Sequence, residues 1–255
     1  MLLVFDVGNT NTSIGIFDES HLLKNWRIRT VKNVTEDEFG ILAFNLFALD
    51  AISPQDITKI VISCVVPPLV FILDSFCNKY LKQTPHRVNT ASIAHMPVQY
   101  NNPSELGSDR IVNAVAAFSK YQTDLIVIDF GTATTFDCIS RKGEYLGGAI
   151  SPGIMTASEA LFKKASKLPG IERFTPPESV IGKDTANCLK SGIVYGYASL
   201  VDGMVERMKE EMKTNPKIIA TGGLAPLMYK ISKATQSVDP FLTLEGLRII
   251  AKGFK

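Results

Sequence analysis

Leu125-Ile126-Val127-Ile128-Asp129-Phe130-Gly131-Thr132-Ala133 repeats, in residue type and order, the stretch that opens the chain, Leu2-Leu3-Val4-Phe5-Asp6-Val7-Gly8-Asn9-Thr10. A short run of Leu, Val, Ile and Phe bounded by Asp and Gly predicts a buried strand, with the acid placed where the chain leaves the sheet. Written without a gap, Leu2/Leu125, Val4/Val127, Asp6/Asp129, Gly8/Gly131, Thr12/Thr135 and Ile16/Ile139 coincide. One Asp-x-Gly turn is ordinary loop chemistry. Two aligned copies, each followed by an alternating strand (Ser13–Phe17 and Thr135–Ile139), predict a duplicated α/β domain with a polar site at its centre.

The parts of the repeat suit a metal–nucleotide. A carboxylate at a strand end can hold a hard cation directly or through water. Glycine lets backbone N–H groups approach an anion. The hydroxyls of Thr10, Thr12, Ser13, Thr132, Thr134 and Thr135 are small donors for phosphate oxygens.

Composition narrows the classes. The 255 residues are 45% hydrophobic, enough to bury a large core. Twenty-seven basic against 25 acidic residues leave a net charge of +2, so no strong field invites nucleic acid or a membrane. Cys64, Cys77, Cys138 and Cys188 lie far apart without a C-x-x-C pair, which fits free thiols in a reducing cytosol. The start carries no signal-peptide pattern and no apolar run reaches the length of a membrane span, so a soluble cytoplasmic protein is expected. His21, His86 and His95 have no metal-ligand spacing, and no Gly-x-Ser-x-Gly elbow occurs. Gly182-Lys183 fails as a Walker A loop, since Pro177 replaces the first glycine and Asp184 the Ser/Thr.

Along the chain, Trp26–Thr30 alternates like a third strand, and Thr35–Glu38 has the form of a capping box. Phe39, Leu42, Ala43, Leu46 and Phe47 follow at helical spacing. Lys59–Ser63 reads as a strand, Leu69–Tyr80 as a helix, and 95–106 as a loop. Ser108–Lys120 reads as a helix opened by Asp109 and Arg110. An acid in a first turn complements the helix dipole, whereas Arg110 works against it. Its placement suggests pairing with Asp109 or a bidentate grip on an anionic substrate. A broad apolar stripe from Leu189 to Met208 makes a second long helix, stopped by Asn215-Pro216 and followed by a strand that ends at Thr221-Gly222-Gly223. That stripe reads as core, with part of it open to a dimer interface.

The repeat resembles the actin/sugar-kinase/heat-shock-chaperone ATPase superfamily, in which two related domains clamp ATP between two strand–turn phosphate loops. More narrowly, Asp6–Thr10, Gly107-Ser108-Asp109-Arg110, Asp129–Thr135 and Gly147–Gly153 resemble the ordered motif set of type III pantothenate kinases. The resemblance implies duplicated actin-like ATPase (ribonuclease H-like) domains with mixed sheets, a cleft between them, and boundaries of 1–115 and 116–255. It implies transfer of the ATP γ-phosphate to the 4′-hydroxyl of pantothenate, the entry to coenzyme A synthesis. Asp109 aligns with the catalytic base. Asp6, Val7, Gly8, Asn9, Thr10, Asn11, Thr12, Ser13 and Thr132 align with ATP contacts, and Asp6 with the holder of Mg²⁺. Asp129 aligns with the site for K⁺ or NH₄⁺, and Tyr100, Gly107, Ser108, Asp109, Arg110 and Thr185 with pantothenate contacts. Gly147–Gly153 resembles a substrate and phosphate loop, and Thr221-Gly222-Gly223 the adenosine side. Ser108 stands where that family often carries Ala. A homodimer is implied, with neither nucleic acid nor membrane as partner. Two other readings stay open: a kinase for another small hydroxylated substrate, and a regulatory binding protein. The presence of Asp6, Asp109 and Asp129 favours catalysis.

Overall fold

The structure is a computed structural model and describes residues 1–93, 96–165 and 174–254. In chain order the elements are β1 (Leu2–Val7), β2 (Asn11–Asp18), β3 (His21–Arg29), α1 (Glu36–Leu49), β4 (Lys59–Cys64), α2 (Pro67–Phe76) and β5 (His86–Arg87). They continue with α3 (Ser108–Tyr121), β6 (Leu125–Phe130), β7 (Ala133–Ile139), β8 (Tyr145–Pro152), α4 (Ile154–Lys164), α5 (Thr185–Met212), β9 (Lys217–Thr221), α6 (Ala225–Tyr229), β10 (Ser237–Val238) and α7 (Leu242–Ala251). A π-helical turn, Cys77–Leu81, extends α2, and together they cover the whole of the expected helix Leu69–Tyr80. His95 of the expected loop lies outside the described residues.

The chain forms two compact units, Met1–Lys120 with Phe241–Lys255, and Tyr121–Pro240. The sheets have one plan. The first runs β3-β2-β1-β4-β5, and the second, read from the other edge, runs β8-β7-β6-β9-β10. β1 pairs antiparallel with β2 and parallel with β4, as β6 does with β7 and β9. The duplication expected from the repeated Asp-x-Gly strand is therefore a duplication of sheet topology.

Two expectations are corrected. The ungapped repeat pairs Thr12 with Thr135, but the second hairpin turn is one residue shorter. Val7 faces Thr12 in the first unit, whereas Phe130 faces Thr134 in the second. Thr134 is thus the counterpart of Thr12, and Thr135 that of Ser13. One residue of slip moves a side chain to the opposite sheet face, so the distinction matters chemically. Gly147–Gly153 is also not a loop: through Pro152 it is strand β8, whose backbone groups are taken up by β7.

The units divide at 120/121, and not at 115/116, which falls inside α3. A cut at 115/116 would break a buried helix, since Arg110 to Ala117 are all buried. The C-terminal residues return to the first unit as α7, which two sequential halves do not foresee. There α7 approaches α3 so closely that a Cβ on Gly246 would overlap the Val112 carbonyl oxygen. Lys59 Nζ donates to the carbonyls of Ala251 (3.1 Å) and Phe254 (2.6 Å), placing a cation at the end of α7 where the helix dipole favours one.

Each unit has its own core. Leu3, Phe5 and Val7 of β1 pack with Ile14 and Ile16 of β2 against Phe39, Phe47, Leu69 and Phe76. Phe5, Phe39 and Phe76 meet with ring centroids 5.1–6.4 Å apart. In the second unit Ile126, Ile128, Phe136 and Cys138 pack against Tyr197, Val201 and Val205 of α5. The capping box at α1 is present in full: Glu38 N donates to Thr35 Oγ1 (3.2 Å), and Thr35 N donates to Glu38 Oε2 (2.8 Å).

Candidate active site

In the first unit the β1–β2 hairpin presents Asp6 and the turn Gly8–Thr10. Leu3, Phe5 and Val7 face the core, so alternation sends Asp6 to the other face of the sheet, where it is half-buried. Gly8 N donates to Asn11 O (3.0 Å) and closes the turn. Thr30, which the sequence did not single out, braces it. Its N–H donates to Thr10 O (3.0 Å), its hydroxyl donates to Gly8 O (2.7 Å), and Thr12 Oγ1 lies 2.9 Å from Thr30 Oγ1. Thr12, expected among the phosphate contacts, is buried and spends its hydroxyl on this brace. Asn9 and Thr10 are exposed at the turn, and Asn11 and Ser13 are half-buried.

The same unit carries the candidate base. Asp109 sits in the first turn of α3, with Arg110 N donating to its Oδ1 (2.8 Å). A Cβ on Gly107 would stand 2.5 Å from that oxygen, so glycine makes room for the carboxylate. Burial pushes the Asp109 carboxyl above its ordinary value of 3.8, against the opposing backbone N–H and guanidinium of Arg110. A carboxylate of raised basicity at a helix start is suited to accept a proton. Arg110 is 5% exposed, and its Nη1 lies 3.5 Å from the Tyr100 hydroxyl. Tyr100 and Gly107–Arg110 thus stand together. Ser63, also missed in the sequence, links them to the β1–β2 hairpin. It pairs with Asp6 across β1 and β4, and its hydroxyl lies 3.0 Å from that of Ser108.

In the second unit Asp129 occupies the equivalent strand end, paired with Thr135 and Thr221. Gly222, at φ +89°, packs so tightly that a Cβ would overlap Asp129 Oδ1 and the Phe130 backbone. Thr132 is exposed in the turn, and its carbonyl accepts from Gly153 N (3.0 Å) and Thr156 Oγ1 (2.7 Å). Asp137, fully buried, accepts from Tyr145 Oη (2.6 Å). Thr185 opens α5 behind the N-cap Asp184 and lines a largely apolar cavity of about 580 Å³ with Ile154, Leu161, Ile193 and Tyr197. Asp109 is not among that cavity's lining residues.

The donors fit the expected ions. Mg²⁺ takes one or two carboxylates and fills its remaining places with water and phosphate oxygens, which the Asp6 carboxylate beside the Gly8–Thr10 turn would suit. A carboxylate flanked by two threonines, as Asp129 is, offers oxygen ligands to a hard monovalent cation. Among the described residues no group of three or more His, Cys, Asp or Glu converges as a metal site.

A family model described as type III pantothenate kinase matches residues 2–207. The chain belongs to the type III pantothenate kinase family. It is 59% identical over 250 residues to a type III pantothenate kinase of Desulfatibacillum aliphaticivorans, covering 98% of this chain and 97% of that one. It is 54% identical over 252 residues to that of Syntrophus aciditrophicus, covering 99% of each. Among solved structures it resembles a protein described as a Baf family transcriptional activator from Campylobacter jejuni, with TM-score 0.61 and 21% identity over 98% of this chain and 97% of that one. It also resembles component A of (R)-2-hydroxyglutaryl-CoA dehydratase from Acidaminococcus fermentans, with TM-score 0.60 and 14% identity over 100% and 99%. At these identities the two structures share the fold, that of actin-like ATPases.

Proposed function

We propose that the protein transfers the γ-phosphate of ATP to the 4′-hydroxyl of pantothenate, the first step of coenzyme A synthesis. The observation that carries this reading is Asp109 at the start of α3, raised in basicity by burial and set beside buried Arg110, in a chain of this family. Asp109 accepts the proton as the hydroxyl oxygen attacks the γ-phosphorus and ADP leaves. Arg110 and Tyr100 hold the substrate, with the guanidinium matched to its carboxylate. Gly8–Ser13 and Thr132 hold the nucleotide, with Thr12 stiffening the turn. Gly107 and Ser108 complete the pantothenate contacts of the first unit; Thr185 is a further pantothenate contact of the family's pattern, carried by the second. Asp6 would hold Mg²⁺ and Asp129 K⁺ or NH₄⁺; when bound, these ions neutralise phosphate charge. Positioning and charge neutralisation are most of what phosphoryl transfer asks of a protein. The working form is a cytoplasmic homodimer; no helix among the described residues is long and apolar enough to cross a membrane.

Exchanging K⁺ for Na⁺ tests the Asp129 assignment. Turnover should fall in Na⁺ in the wild type and become insensitive to the exchange in Asp129→Asn. Equal wild-type rates in both ions would remove the assignment. Sedimentation tests the dimer, which predicts a species of twice the 27.9 kDa chain mass.

A further inference from the structure

Four strands of the first unit carry one polar row. Ser63 of β4 pairs with Asp6 of β1, Asp6 with Ser13 of β2, and Ser13 with Arg27 of β3. Residues paired across neighbouring strands point to the same face, so Arg27 shares the face of Asp6 and Ser13. Strands lie about 4.8 Å apart, which puts Arg27 about 10 Å from Asp6 at the backbone, within the reach of a long side chain toward anything bound over Ser13. Trp26 and Ile28, its neighbours in β3, pack on the opposite face against the core. Arg27 is exposed, and among the described residues its guanidinium has no ion pair or hydrogen bond.

The hairpin from Asp6 to Ser13 contains no Lys or Arg. Its one charged group is the Asp6 carboxylate, which by itself repels a polyphosphate. Mg²⁺ on Asp6 and the turn's N–H groups would offset part of the phosphate charge, and a cationic side chain beside them would offset more. The equivalent row of the second unit runs Thr221, Asp129, Thr135 and Ile150. There Ile150 takes Arg27's place and is 63% exposed, so the duplicated frame does not itself demand a cation at that position.

We infer that Arg27 is a nucleotide-phosphate ligand, its guanidinium reaching across Ser13 to the phosphate oxygens of a nucleotide held over Asp6. The inference rests on the reading that the Asp6–Ser13 hairpin holds those phosphates, and adds a cation to it. A planar guanidinium can take two phosphate oxygens at once, which an ammonium cannot.

The test is calorimetric binding of the magnesium complex of a non-hydrolysable ATP analogue, and separately of adenosine, to full-length wild type, R27Q, R27K and K32Q. K32Q removes the same charge from the connection that follows β3. R27Q should bind the analogue about tenfold or more weakly, with adenosine affinity unchanged and melting temperature preserved. R27K should fall in between, and K32Q should match wild type. Analogue binding by R27Q within twofold of wild type would overturn the inference, as would an equal loss of adenosine or an equal loss in K32Q. The outcome separates from that of the proposed activity. A wild type that binds the analogue with the Arg27 dependence, yet leaves pantothenate unphosphorylated, loses the substrate and keeps Arg27. A wild type that binds no analogue overturns the phosphate site and Arg27 with it.

Discussion

Burial of the Asp109 carboxyl costs stability wherever the group is ionised. Burial raises its carboxyl above the ordinary 3.8, so the folded protein binds that proton more tightly than the unfolded chain does. The sign follows: its contribution to stability declines as pH rises from the ordinary value through the raised one, and stays lower above it. Asp109→Asn should therefore melt no lower than wild type at pH 7, with any gain shrinking as pH falls toward 4, while kcat drops about 10² to 10⁴-fold. Calorimetric melting beside steady-state kinetics checks both; a variant with near wild-type kcat would remove Asp109 as base. The acid limb of the pH–rate profile should lie above the ordinary Asp range for the same reason. Gly107 is the neighbour that makes this geometry possible. Gly107→Ala places a methyl against Asp109 Oδ1, and kcat should fall on the order of tenfold to a hundredfold with the melting temperature nearly kept, since misplacement by about an ångström costs on that scale. Burial also pushes the Cys77 thiol up to about 12, so alkylation at pH 8 should label exposed Cys188 and leave Cys77 until the chain is denatured; early Cys77 labelling by mass spectrometry would contradict its burial.

Among the elements, strand–turn units carrying chemistry were legible, and elements defined by what they pack against were not. β1, β2, β6 and β7 announce themselves by apolar runs ending in Asp-x-Gly, and α1 by its capping box. The two-residue strands β5 and β10 have no periodicity to read and exist because β4 and β9 offer edges. β8 looked like a glycine loop because Gly147 and Gly148 hide its alternation. The shorter second turn was invisible to an ungapped comparison, yet it decides that Thr135, and not Thr134, shares a face with Asp129. Thr30 and Ser63 were missed for one reason: a lone hydroxyl gains meaning only from the register that sets it beside Gly8 or Ser108. At this scale α7 makes the sharpest prediction. Gly246→Ala would drive a methyl into the Val112 carbonyl, and equilibrium unfolding should show a loss of about 1–3 kcal/mol. An unchanged midpoint would mean that α7 does not seat on α3 as described.

Over the whole molecule, duplication supplied the frame and divergence the chemistry. Both units place an acid at the end of a central strand, with a hydroxyl beside it on each neighbour: Ser13 and Ser63 in one, Thr135 and Thr221 in the other. Only the first unit adds Asp109 and Arg110 at the start of a buried helix, and only its polar row ends in Arg27. The residues matched by the family model, 2–207, include Asp6, Asp109 and Asp129. The central claim is phosphate transfer to pantothenate, and the most direct measurement is ADP release from Mg-ATP in K⁺ buffer, with and without pantothenate, with the product weighed by mass spectrometry. ADP release should depend on pantothenate, the product should be heavier by one phosphoryl group, and both should be lost in Asp109→Asn. Bound ATP with no pantothenate-dependent ADP would contradict that claim.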